Sequence, residues 1–147
     1  MKTSIIIAFM AMVLADSCNR SVSSADKLYG NTWELEYISG PRIAFEGLFP
    51  EKKPQITFDQ ETQKVSGTDS CNGYSADYVI EENAISFGEP GPTTMMFCGG
   101  SERQFLQMMQ KIDGFSFEDG KLQLLLGDIP MMRFKKVQPW KKSFLQS

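Results

Sequence analysis

The sequence predicts an α+β fold, a curved, mainly antiparallel β-sheet of seven or eight short strands packed around one α-helix. Three observations predict it. Short stretches of alternating apolar and polar residues recur along the chain, separated by Gly, Pro, Asn and Asp, and such alternation is the mark of a strand buried on one side. A single segment carries apolar residues at helical spacing and falls between two groups of hairpins, so its stripe has the sheet to pack on. The 147 residues, 41% hydrophobic and 12% aromatic, suffice for one domain with a real core.

Composition also bounds function. The formal net charge is −3 and no cluster of Lys and Arg occupies the domain, which argues against nucleic-acid binding, since neutralising phosphates needs such clusters. The 147 residues contain no histidine. That removes Ser-His-Asp and Cys-His catalysis, imidazole-ligated metals and a histidine pH switch. The sequence offers no catalytic, metal or cofactor set.

At the N-terminus, Lys2 precedes an apolar run from Ile5 to Leu14. Ten residues are too few for a membrane helix, which needs roughly twenty, but they suit the hydrophobic region of a secretory signal. The run ends in Ala15-Asp16-Ser17-Cys18, which resembles the leaders of bacterial lipoproteins. That resemblance implies a signal peptide over residues 1–17, a lipid on Cys18 and attachment to the cell-envelope membrane, several acyl chains being what a stable anchor requires. The alternative is a secreted or periplasmic protein with Cys18 as a thiol. Residues 18–27, serine-rich and nearly free of bulky apolar side chains, read as a flexible tether, with the domain spanning 28–137.

The elements follow in order. Thr32 to Tyr37 alternates, placing Trp33, Leu35 and Tyr37 on one face and Glu34 and Glu36 on the other. Gly40-Pro41 ends that strand. The loop to Lys53 contains Phe45, Leu48 and Phe49, read as a plug over one end of the core; the alternative is a hydrophobic binding rim. Pro54–Asp59 and Gln63–Thr68 are the next strands. Asp77–Ile80 and Ala84–Phe87 form a hairpin around Glu82-Asn83, with Asn83 suited to a left-handed conformation. Gly88-Glu89-Pro90-Gly91-Pro92 is a loop.

Ser101 and Gln104 are spaced as a capping box, and Phe105, Met108, Met109 and Ile112 share the helix face that follows. That face reads as core rather than a cofactor box. Asp113-Gly114 closes the helix. Phe115–Glu118 and Lys121–Leu126 flank Asp119-Gly120, the strongest hairpin signal in the chain. Pro130–Val137 is the last strand, and residues 138–147 form a basic and aromatic tail. No acid follows Asp128, so this end reads as exposed strand residues or as a contact for anionic head groups.

Three cysteines in an exported chain leave one for the lipid and two to pair, Cys71 with Cys98. The alternatives are free thiols or a nucleophile, the latter lacking a histidine partner and a CxxC spacing. The stretches around these cysteines carry a pattern: Gly30 and Trp33; Pro54, Ile56 and Phe58; Gly67, Cys71, Asn72, Tyr74 and Tyr78; Thr94, Met96 and Cys98; then Glu102 and Phe105. In this the chain resembles the META domain, the HslJ-like family of heat-shock lipoproteins, over about Leu28 to Val137. It departs in Ser70 and Ala76, where the family often has Gly, and in the short interval from Cys98 to Glu102.

The resemblance implies a non-enzymatic domain, exported or anchored in the envelope, with links to stress, antibiotic tolerance or secretion. The expected function is binding of another envelope component. Asn72 reads as a turn-former and Glu102 as a first-turn helix acid favoured by the dipole; membership of a binding site is the alternative for each. A second class is a carrier of a small apolar ligand, with Ile43 to Phe49 as its lid. A third, a carboxylate hydrolase, has only scattered acids such as Asp69 and Asp77 behind it.

Overall fold

A computed structural model describes residues 23–91 and 96–138. The leader, Cys18, Thr94 and the tail from Pro139 onward lie outside the described residues. Eight strands are described: β1 (Thr32–Ile38), β2 (Gln55–Asp59), β3 (Lys64–Thr68), β4 (Gly73–Glu81), β5 (Ala84–Phe87), β6 (Gly114–Glu118), β7 (Lys121–Leu126) and β8 (Ile129–Val137). All neighbours pair antiparallel in sequence order, and β8 returns to β1 from Thr32↔Val137 to Ile38↔Met132. The expected curved sheet is therefore closed into a barrel. Of the two helices, α1 (Phe45–Leu48) is one turn and α2 (Ser101–Met109) is the longer, so the α+β description holds in part, with strands dominating.

An eight-stranded barrel is just wide enough inside for its own side chains. Trp33, Leu35, Tyr78, Phe115 and Phe134 are among the side chains buried at the inward positions. The bottom end, where β1 begins and β8 ends, is stopped by the incoming chain. A 3₁₀ turn at Ala25–Lys27, within the expected tether, leads to the fully buried Leu28, whose carbonyl accepts a hydrogen bond of 3.0 Å from the Trp33 indole N–H. At the top end α1 and Phe49 pack inward, with Leu48 7% and Phe49 3% exposed. The plug reading of this loop is the one observed. Ile43 stays 60% exposed, so the loop closes this end through Leu48 and Phe49 and not through Ile43.

The least paired seam is between β5 and β6, which share the single register pair Ala84↔Gly114, α2 being inserted between them in the chain. Accordingly α2 lies across the top end and not along the sheet face, sending Phe105 and Met109 fully into the core.

Four local expectations are corrected by tertiary partners. The alternation of β1 breaks at a bulge between Leu35 and Tyr37, where its register with β8 shifts; an extra residue turns the next side chain outward. Ile38 is thus buried, while Tyr37 is 41% exposed with the Arg133 guanidinium 5.5 Å above its ring. In the β4–β5 turn Glu82, not Asn83, takes the left-handed conformation (φ 57°), the Asn83 carbonyl being committed to the Phe115 N–H across the seam at 2.9 Å. Helix α2 ends at Met109, short of Asp113-Gly114: Asp113 instead accepts the Gly127 N–H at 2.8 Å, and Gly114 opens β6. The helix start is the fourth.

On the outer wall, Glu34 and Glu36 face away from the core as expected, and β8 answers them. Lys135 pairs with Glu34 at 3.2 Å; Arg133 and Lys121 pair with Glu36 at 2.6 and 2.7 Å. Burial alone would raise the Glu36 pKa, but the bonds from Lys121 and Arg133 outweigh it and hold the carboxyl below its ordinary range. These pairs neutralise Arg133 and Lys135 of β8, while the Lys136 ammonium lies 5.6 Å over the Trp33 ring.

Candidate functional site

The predicted motif residues converge at the top end. The β3–β4 hairpin closes on Asp69-Ser70-Cys71-Asn72, with the Asp69 N–H donating to the Asn72 carbonyl at 3.0 Å. Ser70 has φ 92°, a region that costs any residue with a Cβ on the order of 1 kcal/mol. Where the family often has Gly, Ser keeps the glycine conformation instead of relaxing it. Ser70→Gly is therefore expected to raise stability by about 0.5–1 kcal/mol, since the relieved strain exceeds the added freedom of the unfolded chain; chemical denaturation measures it.

Asp69 is 3% exposed, and its Oδ1 accepts the N–H groups of Cys71 and Asn72 at 3.0 and 2.6 Å. It caps its own turn. Asp77, the other acid considered for hydrolysis, forms an ion pair with Lys64 on the outer wall, so each carboxylate is bound into its own local structure.

Asn72 reaches across to the segment before α2. Its Nδ2 donates to the Met96 carbonyl at 2.9 Å and its Oδ1 accepts the Met96 N–H at 2.7 Å. A side-chain amide thus imitates a strand partner, a role more specific than the turn-former that its residue type suggests. Two residues on, Cys98 forms the disulfide with Cys71, their Cα atoms 6.0 Å apart. Glu102 completes the clasp: its carboxylate accepts the Gly100 N–H at 3.0 Å and the Cys98 N–H at 3.4 Å. Gly100 (φ 90°) is the N-cap and Ser101 the first helical residue, with no side-chain cap bond from the cap residue. The return bond of the expected capping box is made by Glu102 and not Gln104, because the preceding Gly99-Gly100 turn brings its backbone N–H groups to that acid.

Tyr74 and Tyr78 extend inward from β4. The Tyr74 ring meets Phe105 of α2 edge-on at 5.7 Å, its hydroxyl is buried without a partner, and burial pushes its pKa well up. Tyr78 stands edge-on to Phe58 at 5.3 Å and donates to the Asp59 carbonyl at 2.9 Å. Burial, then the neighbouring Tyr29, raises its pKa. Both are core posts. Gly67 holds β3 hard against β2: a Cβ there would lie 1.8 Å from the Gln55 carbonyl oxygen.

The clasp displays Met96, one of the motif residues, beside Phe97, which the sequence pattern leaves out. Phe97 is 81% exposed and Met96 65% exposed, at the tip fixed by Asn72 and Cys98. Beside them an open cleft of about 450 Å³ runs between Leu48–Lys52 and the disulfide. No pattern in the sequence separates an exposed Phe from a buried one here. Among the described residues, no group of three or more His, Cys, Asp or Glu is placed to hold a metal ion.

A protein from Burkholderia xenovorans, solved by NMR, superposes with a TM-score of 0.60 at 23% identity, covering 80% of this chain and 90% of that one. A second NMR structure superposes with a TM-score of 0.56 at 16% identity, covering 78% and 95%. At these identities the likeness concerns the fold. No protein of curated function matches the chain. The META domain profile matches residues 26–138, from the 3₁₀ turn through the last residue of β8 and one beyond. The barrel, its Cys71–Cys98 clasp and that match agree, and the chain belongs to the META domain family.

Proposed function

We propose that the protein is a lipid-anchored, non-enzymatic envelope protein that binds another envelope component through its clasped end. One observation carries this reading: the chain enters the barrel at the end opposite the clasp, since Thr32 pairs with Val137 and Thr57 while the clasp follows Thr68. From Cys18 to Ser23 an extended chain spans at most about 18 Å. An acyl group on Cys18 would hold the bottom end close to the bilayer and turn Met96 and Phe97 away from it. An exposed Phe on a stapled loop loses little freedom on binding, the property of a binding anchor. A role in stress or antibiotic tolerance is the physiological side of this proposal, supported by the family alone.

Photo-crosslinkers placed at Phe97 and, as a control, at Val79 on the barrel wall test it. The expected result is adducts from position 97 only, in protein that carries acyl label and loses both label and membrane partitioning in Cys18→Ser. Equal adducts from both positions would overturn the binding reading, and a soluble, unlabelled wild type would overturn the anchor. The carrier alternative has no support from the barrel interior, whose inward positions hold large side chains.

A further inference from the structure

The bond that staples the clasp lies at the surface. Cys98 is exposed and Cys71 half-buried, and both line the open cleft of about 450 Å³, together with Pro50, Lys52 and Ser101. Thiol–disulfide exchange is controlled by the access of a thiolate to one of the two sulfurs. A disulfide enclosed in a core gains that access only when the domain unfolds, whereas here solvent already reaches the Cys98 side.

Opening the bond disturbs little else. None of the strand pairings around the barrel includes either cysteine. Asn72 keeps its two hydrogen bonds to Met96, at 2.7 and 2.9 Å, and Glu102 still accepts the Gly100 N–H at 3.0 Å. The Cys71 Sγ lies 3.4 Å from the Met96 carbonyl oxygen. As a disulfide sulfur it has no hydrogen to give; as a thiol it is a weak donor placed beside that acceptor. The opened state therefore has a partner for the group that reduction creates. The weakest remaining tie is at Cys98, whose N–H reaches Glu102 at 3.4 Å, and next to it stands Phe97, 81% exposed. The disulfide is thus what holds the tip firmly on its C-terminal side.

We propose that Cys98 is a thiol-exchange site, through which a dithiol opens the clasp while the barrel stays folded. One thiolate of the dithiol attacks the Cys98 Sγ, the S–S bond breaks, and the Cys71 Sγ leaves as a thiolate that takes a proton from solvent. The second thiolate of the dithiol then attacks its own sulfur in the mixed disulfide and releases Cys98 as a thiolate, which is protonated in turn. Two electrons and two protons pass to the protein, and the dithiol is left as a disulfide; the reverse sequence closes the clasp. The exchange stands on the clasp geometry, and its consequence, that reduction loosens Phe97 and weakens recognition, rests on the proposed function.

The test follows reduction of the purified protein by dithiothreitol, with alkylation and mass measurement over time. The expected rate is proportional to dithiothreitol and unchanged by low urea. It should lie within about a hundredfold of the rate for the urea-unfolded chain, whereas a route through global unfolding would slow it by about 10³ or more. Brief exposure to glutathione locates the attack, since Glu81, Glu82 and Glu89 separate the two cysteines for cleavage after glutamate: glutathione is expected on Cys98 and the alkyl group on Cys71. A rate that saturates with dithiothreitol or climbs with urea, or glutathione mainly on Cys71, would overturn the exchange site. Crosslinking from position 97, measured below saturation, should fall about two- to tenfold on reduction, the ordering cost of one freed side chain, and return on reoxidation. In the double variant Cys71→Ser, Cys98→Ser it should stay low with or without dithiothreitol, which separates the clasp from any effect of the reductant on the partner. A crosslinking yield indifferent to reduction would sink the switch. Exchange at Cys98 with no specific adducts from position 97 even in the oxidised protein would support the exchange site and overturn the binding reading instead.

Discussion

Gly67→Ala is expected to destabilise the protein by at least about 3 kcal/mol, at the upper end of what overpacking costs. The added carbon would stand 1.8 Å from the Gln55 carbonyl oxygen, 2.7 Å from the Gln55 carbonyl carbon and 3.0 Å from the Ile56 Cα. All three are backbone atoms, so no rotamer change relieves the clash and β2 has to move. It cannot move freely. The Pro54 carbonyl just before it accepts the Leu35 N–H at 2.9 Å, and the Gln55 amide donates to Glu34 at 2.8 Å, so a displaced β2 loosens its pairing with β1 as well as with β3. Gly73→Ala is the control: nothing lies within 4 Å of a Cβ there, and the change should fall within about 0.5 kcal/mol of wild type. Denaturant midpoints at constant m-value measure both. A loss under about 1 kcal/mol in Gly67→Ala would mean that the strands accommodate the methyl, and Gly67 would then have no packing reason to be glycine.

How much of this was legible in the sequence depends on where each determinant lies. The β6–β7 hairpin was readable because its cause is local: Asp119 (φ 50°) and Gly120 (φ 73°) are the two left-handed residues that such a turn demands. The inward stripe of α2 was readable for the same reason, since Phe105, Met108, Met109 and Ile112 are all buried. Closure was not. It depends on β1 meeting β8 about a hundred residues away, and alternation along a strand is the same in an open sheet as in a barrel. The Tyr37-to-Ile38 switch likewise belongs to the β1–β8 register and leaves no trace in β1 itself. In the site, residue types indicated that Asn72 would form a turn and that Glu102 would be a first-turn acid favoured by the helix dipole. Which backbone they would choose, Met96 for one and Cys98 with Gly100 for the other, required the clasp to be assembled.

Assembly of that clasp also decides what its covalent bond contributes. Replacing Cys71 and Cys98 together by Ala is expected to cost about 3–4 kcal/mol, the loop-closure entropy released when a crosslink of 27 residues' separation is removed from the unfolded chain. For a domain of this size that is on the order of 15 °C in Tm. The barrel should survive, because its strands close without the clasp and none of the pairings from β1 to β8 includes Cys71 or Cys98. The folded state should change at one place only. Cys98 is exposed and Cys71 half-buried, and with the bond gone the Met96–Gly100 segment is held by the two Asn72 bonds and by Glu102. Unfolding of the oxidised protein, the reduced protein and the double variant separates the contributions. The reduced protein and the variant should coincide, with unchanged far-ultraviolet dichroism and faster amide exchange confined to the clasp. Crosslinking from Phe97 should weaken in step, since a tip freed from Cys98 has to be ordered again when it binds. A stability loss below about 1 kcal/mol would show that the unfolded chain already holds these segments together, whereas loss of the barrel would make the clasp a condition of folding rather than a staple on a finished domain.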